Sequence, residues 1–198
     1  RAQWATYIAC WSGWVLDAFD FTIFFLAMPL IALEFGVSTE AVAGSITLTL
    51  LVRLVGGGVA GWAADRWGRR LPLMLSILWF ALCDGAIAFA PSFTAVVVLR
   101  TLFGFGMGGE WAVGTTMAME NWPERTRGLA SGALQGSWAI GYLLASGASA
   151  LIVPLYGWRA LFLLGVAPAL LVLFIRFFVP ADKVEPRATK TAGTWRAL

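Results

Sequence analysis

Residues 61–70 read Gly-Trp-Ala-Ala-Asp-Arg-Trp-Gly-Arg-Arg and join two long apolar segments of the chain. So short a basic stretch has room only to reverse the chain at a membrane face. Arginines between spanning segments favour the cytoplasmic side of a bilayer. The stretch therefore predicts two membrane-spanning helices joined by a cytoplasmic turn.

The composition supports a membrane protein. The 198 residues are 60% hydrophobic and 13% charged, with a mean hydropathy of +0.79, whereas a soluble domain is about 25% charged. Histidine is absent, and the two cysteines, Cys10 and Cys83, lie in apolar runs, so the sequence indicates no disulfide framework and no metal site. The net charge of +3 is a topology signal, and we expect no nucleic-acid partner.

Hydropathy predicts six spanning segments, because about 20 mostly apolar residues are needed to cross a bilayer. Such segments must be helical, since lipid offers no partner to open backbone groups. The fold class is therefore an all-α membrane protein with six transmembrane helices. The predicted spans are 5–33, 41–63, 71–90, 92–121, 128–153 and 159–179.

The basic residues are strongly biased to one side of these spans. Eleven lysines and arginines fall in the N-terminus, the 61–70 turn, the turn after the fourth span and the tail, whereas the opposite loops hold only Arg159. This bias predicts that both termini are cytoplasmic. Residues 181–198 lose hydrophobicity and gain charge, so they are predicted to be a cytoplasmic linker. The chain starts at Arg1 without a signal-peptide pattern, and we expect a fragment of a longer polypeptide.

Ionisable residues occur inside the predicted spans. Each costs about 2.5–3.5 kcal/mol if it faces lipid at mid-depth, so they must pair or line a wet cavity. Asp17 and Asp20 lie three residues apart on one helical face. Their mutual repulsion should make one of them bind a proton readily. Salt bridges that only hold the bundle together remain an alternative reading. The residues are Asp17, Asp20, Arg53, Asp84, Arg100 and Glu110.

Three motifs together resemble the major facilitator superfamily of transporters. They are the Gly-x-x-x-Asp-Arg-x-Gly-Arg-Arg turn at 61–70, the Arg-x-x-x-Gly-x-Gly pattern at 100–106, and the basic turn at 123–128. The resemblance implies the N-terminal half of a twelve-helix fold, built from two inverted repeats of three helices. The C-terminal six-helix half would be a missing partner, and the substrate site would lie near the midplane between the halves.

Weaker cues resemble the sialate:proton symporter family within that superfamily. Leu-Asp-Ala-Phe-Asp-Phe at 16–21 and Arg53 in the second span are similar to that family, and residues 134–145 resemble its monocarboxylate branch. The resemblance implies proton-coupled symport of a small organic anion, either a monocarboxylate such as lactate or pyruvate, or sialic acid. It implies alternating access, a location in the cell inner membrane, no enzymatic activity, and no cofactor beyond the proton gradient.

The resemblance and the charges together assign roles to individual residues. Arginine grips a carboxylate with both oxygens, so a substrate anion would meet arginines and neutral side chains of the cavity. The substrate-binding candidates are Arg53, Arg100, Gln135 and Trp138. The proton-coupling candidates are Asp17, Asp20 and Glu110. The cytoplasmic gate motif comprises Gly61, Asp65, Arg66, Gly68, Arg69 and Arg70.

Other functions stay open at this point. A symporter of the same superfamily could carry an aromatic acid, a dicarboxylate or a sugar. A six-helix scaffold or sensor that transports nothing is compatible with the basic tail. A membrane enzyme is disfavoured, because the chain has no histidine and no cysteine cluster for catalysis or metal binding.

Overall fold

The computed structural model describes residues 2–120 and 122–178 of the chain and is all-helical over that part. The predicted linker at 181–198, the end of the sixth predicted span and residue 121 lie outside the described residues. A short 3₁₀ turn at Glu124–Thr126 precedes the fifth helix. The helices are α1 (Ala2–Phe35), α2 (Thr39–Trp67), α3 (Arg70–Ile87), α4 (Phe93–Glu120), α5 (Arg127–Tyr156), α6 (Trp158–Leu164) and α7 (Pro168–Phe178).

Five of these helices are long and apolar enough to cross a membrane, counted over the described residues. They are α1 to α5, with α5 extended by the preceding 3₁₀ turn. Their burial differs strongly: two thirds of the apolar window of α1 is buried in the bundle, whereas most of α2 and α5 is exposed. The chain thus places α1 at the centre of the bundle and leaves α2 and α5 with long apolar outer faces.

The sixth predicted span contains a turn that the sequence did not indicate, and this turn divides it into α6 and α7. Pro168 has no N–H to donate to the carbonyl of Leu164, which instead accepts from Ala167 at 2.9 Å. The amides of Gly165 and Val166 likewise bond three residues back, to Phe162 and Leu163. The tightened turn at 165–167 follows from the proline, whose ring cannot continue an α-helix hydrogen-bond ladder.

The 61–70 stretch is more helical than a loop. α2 continues through Ala63, Ala64, Asp65 and Arg66 to Trp67, since none of these residues breaks a helix, and α3 starts at Arg70. Gly68 forms the reversal with φ +78°, in the left-handed region that favours glycine. The chain therefore turns over two residues rather than ten.

Charged groups lie between two apolar cores stacked along the bundle. One core joins the starts of α1, α3 and α5 with the ends of α4 and α7, and includes Leu73, Met107 and Leu134. The other core lies toward the opposite ends and includes Phe24 and Ile31. Asp17 and Asp20 fall between them along α1. Asp17 and Asp20 therefore lie about halfway along α1.

The end of the bundle opposite the 61–70 stretch is tied by one arginine. Arg159 at the start of α6 forms a salt bridge with Glu34 near the end of α1 and donates to the carbonyl of Ala90 at 2.9 Å. Trp158 Nε1 also donates to Glu34 Oε2 at 2.7 Å. These contacts link α1, α6 and the residues after α3 at a single point.

Candidate functional site

Three charged side chains from three helices lie close together about halfway along the bundle. Asp17 of α1 and Glu110 of α4 are fully buried, and their charges act on each other and on Arg53 of α2, which is partly buried. The guanidinium of Arg53 lies over the ring of Trp111, 4.1 Å from its centroid. We refer to Asp17, Arg53, Glu110 and Trp111 as the Arg53 cluster.

The carboxyl groups of Asp17 and Glu110 lie within hydrogen-bonding reach of each other, and Asp17 also lies beside the Trp111 indole. Burying two adjacent charged carboxylates is costly, so such groups take up a proton or a ligand. The arrangement of two adjacent acids beside one arginine can therefore exchange a proton and hold an anion.

Close contact between α2 and α4 brings these residues together. A Cβ atom on Gly56 would overlap the carbonyl of Phe105, and a Cβ on Gly108 would overlap the carbonyl of Arg53. Only glycine allows backbones to approach this closely in a membrane bundle. On the other side, a Cβ at Gly13 of α1 would overlap the carboxylate of Glu110. Glycines on α1, α2 and α4 thus allow the close helix contacts that bring the residues of the Arg53 cluster together.

A second buried cluster contains Arg100. Its Nη1 donates to Asp84 Oδ1 at 3.1 Å, and its guanidinium lies 4.2 Å from the ring centroids of both Phe24 and Phe103. Asp20 acts electrostatically on both Arg100 and Asp84. Arg100 is fully buried. The structure therefore places Arg100 in an ion pair between α3 and α4, and away from Arg53.

An aromatic wall lines one side of the Arg53 cluster. Trp14 stacks on Trp111 with centroids 4.5 Å apart, Trp138 meets Trp111 edge-on at 5.6 Å, and Phe21 meets Trp138 at 6.1 Å. The indole nitrogens of Trp14 and Trp138 are buried and have no hydrogen-bond partner in the described part of the chain. The indole nitrogen of Trp111 is also buried, next to Asp17, so the wall contains three buried indole N–H groups.

The remaining predicted site residues are spread over the bundle. Trp138 belongs to the aromatic wall, and Gln135 is exposed about one turn earlier on α5. In the gate motif, Asp65 and Arg66 are exposed at the end of α2, Arg69 and Arg70 are partly buried at the start of α3, and Arg66 lies 4.9 Å over the ring of Trp62. A Cβ at Gly61 would meet nothing within 4 Å among the described residues.

Two residues of the site were missed by the sequence analysis. Trp111 directly follows Glu110, and Trp14 precedes Asp17 by three residues, which places it on the same face of α1. An aromatic residue at such spacing from a mid-span acid was an available signal. The pairing of Asp84 with Arg100 was also missed, although both lie at mid-depth on neighbouring spans.

Comparison with known proteins gives one consistent result. The sequence profile of the Major Facilitator Superfamily matches residues 10–198. The chain is 39% identical to the probable 4-methylmuconolactone transporter of Cupriavidus pinatubonensis over 99% of this chain and 47% of that protein. It is 33% identical to the sialic acid transporter NanX of Escherichia coli over 91% of this chain and 46% of that protein.

A solved structure shows the same fold. The proton:xylose symporter XylE superposes with a TM-score of 0.80 over 91% of this chain and 45% of that chain, at 20% sequence identity. The chain therefore spans about half the length of the proteins that it matches. The predicted fold class, a half of a two-part transporter fold, is confirmed by this match.

Proposed function

Because the chain belongs to the Major Facilitator Superfamily, we propose that it is the N-terminal half of a symporter that couples a small organic acid to protons by alternating access. Relatives named for a muconolactone and for sialic acid support an organic acid as the substrate. The observation that carries the proposal is the Arg53 cluster, in which two adjacent buried acids lie beside one arginine about halfway along the bundle. No step of this function needs a cofactor or a catalytic residue.

Arg53 is the proposed anion-binding group. Its side chain is only partly buried, so a ligand can reach the guanidinium. Its guanidinium is already desolvated on one side by Trp111, which strengthens a charge-assisted hydrogen bond to a carboxylate. Arg100 already has Asp84 as its partner, so we assign Arg100 a positioning role within the bundle.

Asp17 and Glu110 are the proposed proton-coupling pair. With Arg53 they carry a net charge of −1 when both acids are ionised, which repels an incoming anion. One proton shared by the two acids removes that charge and lets the substrate carboxylate approach Arg53. Binding of the proton then favours binding of the anion, and the two must move together. Asp20 adjoins the Arg100 pair and is the second candidate.

The aromatic wall favours one of the alternative substrates over lactate or pyruvate. Trp138 is partly exposed beside the Arg53 cluster and meets Trp111 edge-on, and an open aromatic face packs best against a planar ligand. A three-carbon acid would leave most of this surface uncovered. We therefore propose a planar, unsaturated carboxylate as the preferred substrate class, with Trp138 as a neutral contact and Gln135 as a more peripheral one.

The Asp17→Asn variant of the natural full-length protein tests the coupling. A pH difference of one unit supports about ten-fold accumulation per coupled proton, and a carboxamide cannot carry that proton. In proteoliposomes we expect the variant to lose accumulation of a labelled acid while exchanging it across the membrane at a measurable rate. Glu40→Gln, which alters an exposed acid at the start of α2, is the matched control. Full accumulation by Asp17→Asn would reject Asp17 as the coupling acid.

A further inference from the structure

An apolar slot lies between α2 and α3, and none of the four residues of the Arg53 cluster lines it. It has a volume of about 240 Å³ and runs between α2 and α3 with α4 as its floor. Small residues open it: Gly56 and Ala60 on α2, Ser76 on α3 and Gly106 on α4. We call this cavity the α2–α3 slot.

The length and position of the slot correspond to one leaflet of a bilayer. Its lining on α2 extends from Gly56 to Trp67, about 16 Å at 1.5 Å per residue, and half of a hydrocarbon core is about 15 Å. Trp79 lies at the inner end, fixed by its Nε1 bond to the carbonyl of Leu102 at 2.9 Å. Trp67 lies at the outer end, beside the reversal at Gly68.

Two arginines lie at the end of the slot beside Trp67. Arg66 is exposed and lies over the ring of Trp62, and it shares a helical face with the slot residue Val59, seven positions earlier. Arg69, the residue directly before α3, precedes the slot residue Pro72 by three positions. Anionic lipids are attracted to basic groups at this depth.

We propose that the α2–α3 slot binds one anionic phospholipid of the cytoplasmic leaflet, with an acyl chain in the slot and the phosphate at Arg66 and Arg69. The basic groups beside the slot favour an occupant that carries negative charge. The acyl chain gains little hydrophobic free energy when it leaves the surrounding lipid tails and enters the slot. The headgroup charge therefore sets affinity, and the shape of the slot sets position.

The experiment measures phosphatidylglycerol that stays bound to the purified full-length protein by native mass spectrometry. Leu75→Trp fills the slot from its exposed side, since Leu75 lines the slot and is 55% exposed. Leu82→Trp is the matched control, two turns further along α3 and 58% exposed. We expect one phosphatidylglycerol fewer on Leu75→Trp and no change on Leu82→Trp.

A second pair of variants tests the headgroup. Arg66→Gln should weaken retention of phosphatidylglycerol about five-fold, whereas Arg125→Gln, which removes an exposed cation from the other basic turn, should not. Phosphatidylcholine should be retained less than phosphatidylglycerol by the unmodified protein. Equal retention of the two lipids, or equal phosphatidylglycerol on Leu75→Trp and the unmodified protein, would overturn the proposal. So would a dimer or an intramolecular contact that depends on Leu75 while lipid retention stays constant.

Discussion

At the scale of single residues, the buried charges divide into two kinds. Arg100 and Asp84 form an ion pair, and cutting one partner of such a pair costs about 3–5 kcal/mol because the other charge stays buried. Asp17 and Glu110 are buried side by side, so their neutralisation by a proton is the less costly state. Substitutions in the first pair should therefore lower stability, and substitutions in the second should alter coupling.

Arg53→Lys is predicted to weaken substrate binding. Lysine keeps the charge but loses the planar fork that holds both carboxylate oxygens and stacks on Trp111. We expect the apparent Michaelis constant for the transported acid to rise about ten-fold, measured by initial-rate uptake in vesicles. Arg125→Lys serves as control. A drop in protein amount with an unchanged Michaelis constant would show that Arg53 is structural.

At the scale of elements, the contact between α2 and α4 determines the geometry of the site. Gly56 and Gly108 bring the two backbones so close that side chains cannot enter between them. Arg53 lies one turn before Gly56 and Glu110 lies two residues after Gly108. Any separation of α2 from α4 would therefore move Arg53 away from Glu110.

Two glycines of α2 provide a matched test of this contact. Gly56→Ala places a methyl group against the Phe105 carbonyl and should cost about 1–3 kcal/mol, as overpacking does. Gly58→Ala should be neutral or stabilising by about 0.5–1 kcal/mol, since its Cβ would meet nothing within 4 Å in the described part of the chain. Thermal unfolding in detergent compares them. Equal melting temperatures would contradict the role given to Gly56.

The elements were more predictable from the sequence than the site. Long apolar runs specify α1 to α5, since lipid permits only helices there, and the depth of Asp17 and Arg53 follows from counting residues along them. The break at Pro168 was missed because the run around it stays apolar across the turn. The choice of Asp84 as partner for Arg100 depends on how α3 and α4 are rotated about their axes, which hydropathy does not specify.

At the scale of the whole molecule, the bundle has two unlike ends. Within the described residues, the end with Trp67–Arg70 and the 3₁₀ turn carries Arg66, Arg69, Arg70, Arg125 and Arg127, whereas the opposite end carries Arg159 and its ion pair with Glu34. We propose that a second half of the transporter packs on the exposed face of α5 and on the side of α2 that does not line the α2–α3 slot. The proposed orientation places the basic end in the cytoplasm.

Cysteine labelling in intact cells tests this orientation. The native Cys10 and Cys83 are buried, so background labelling by an impermeant maleimide should be low. Ser92→Cys, at the exposed connection before α4, should react in intact cells. Arg125→Cys, at the opposite end, should react only after the membrane is opened. The reverse pattern would invert the proposed topology.

The separation of the buried charges along the chain has a consequence for biosynthesis. Asp20 leaves the ribosome 80 residues before Arg100, a delay of roughly 4–16 s at ordinary rates of synthesis. During that interval α1 carries Asp17 and Asp20 while Arg100 has not yet been synthesised. Insertion of α1 into the centre of the bilayer is therefore unfavourable at this stage. We therefore expect α1 to stay at the insertion machinery and to enter the bilayer only after α4 has been synthesised.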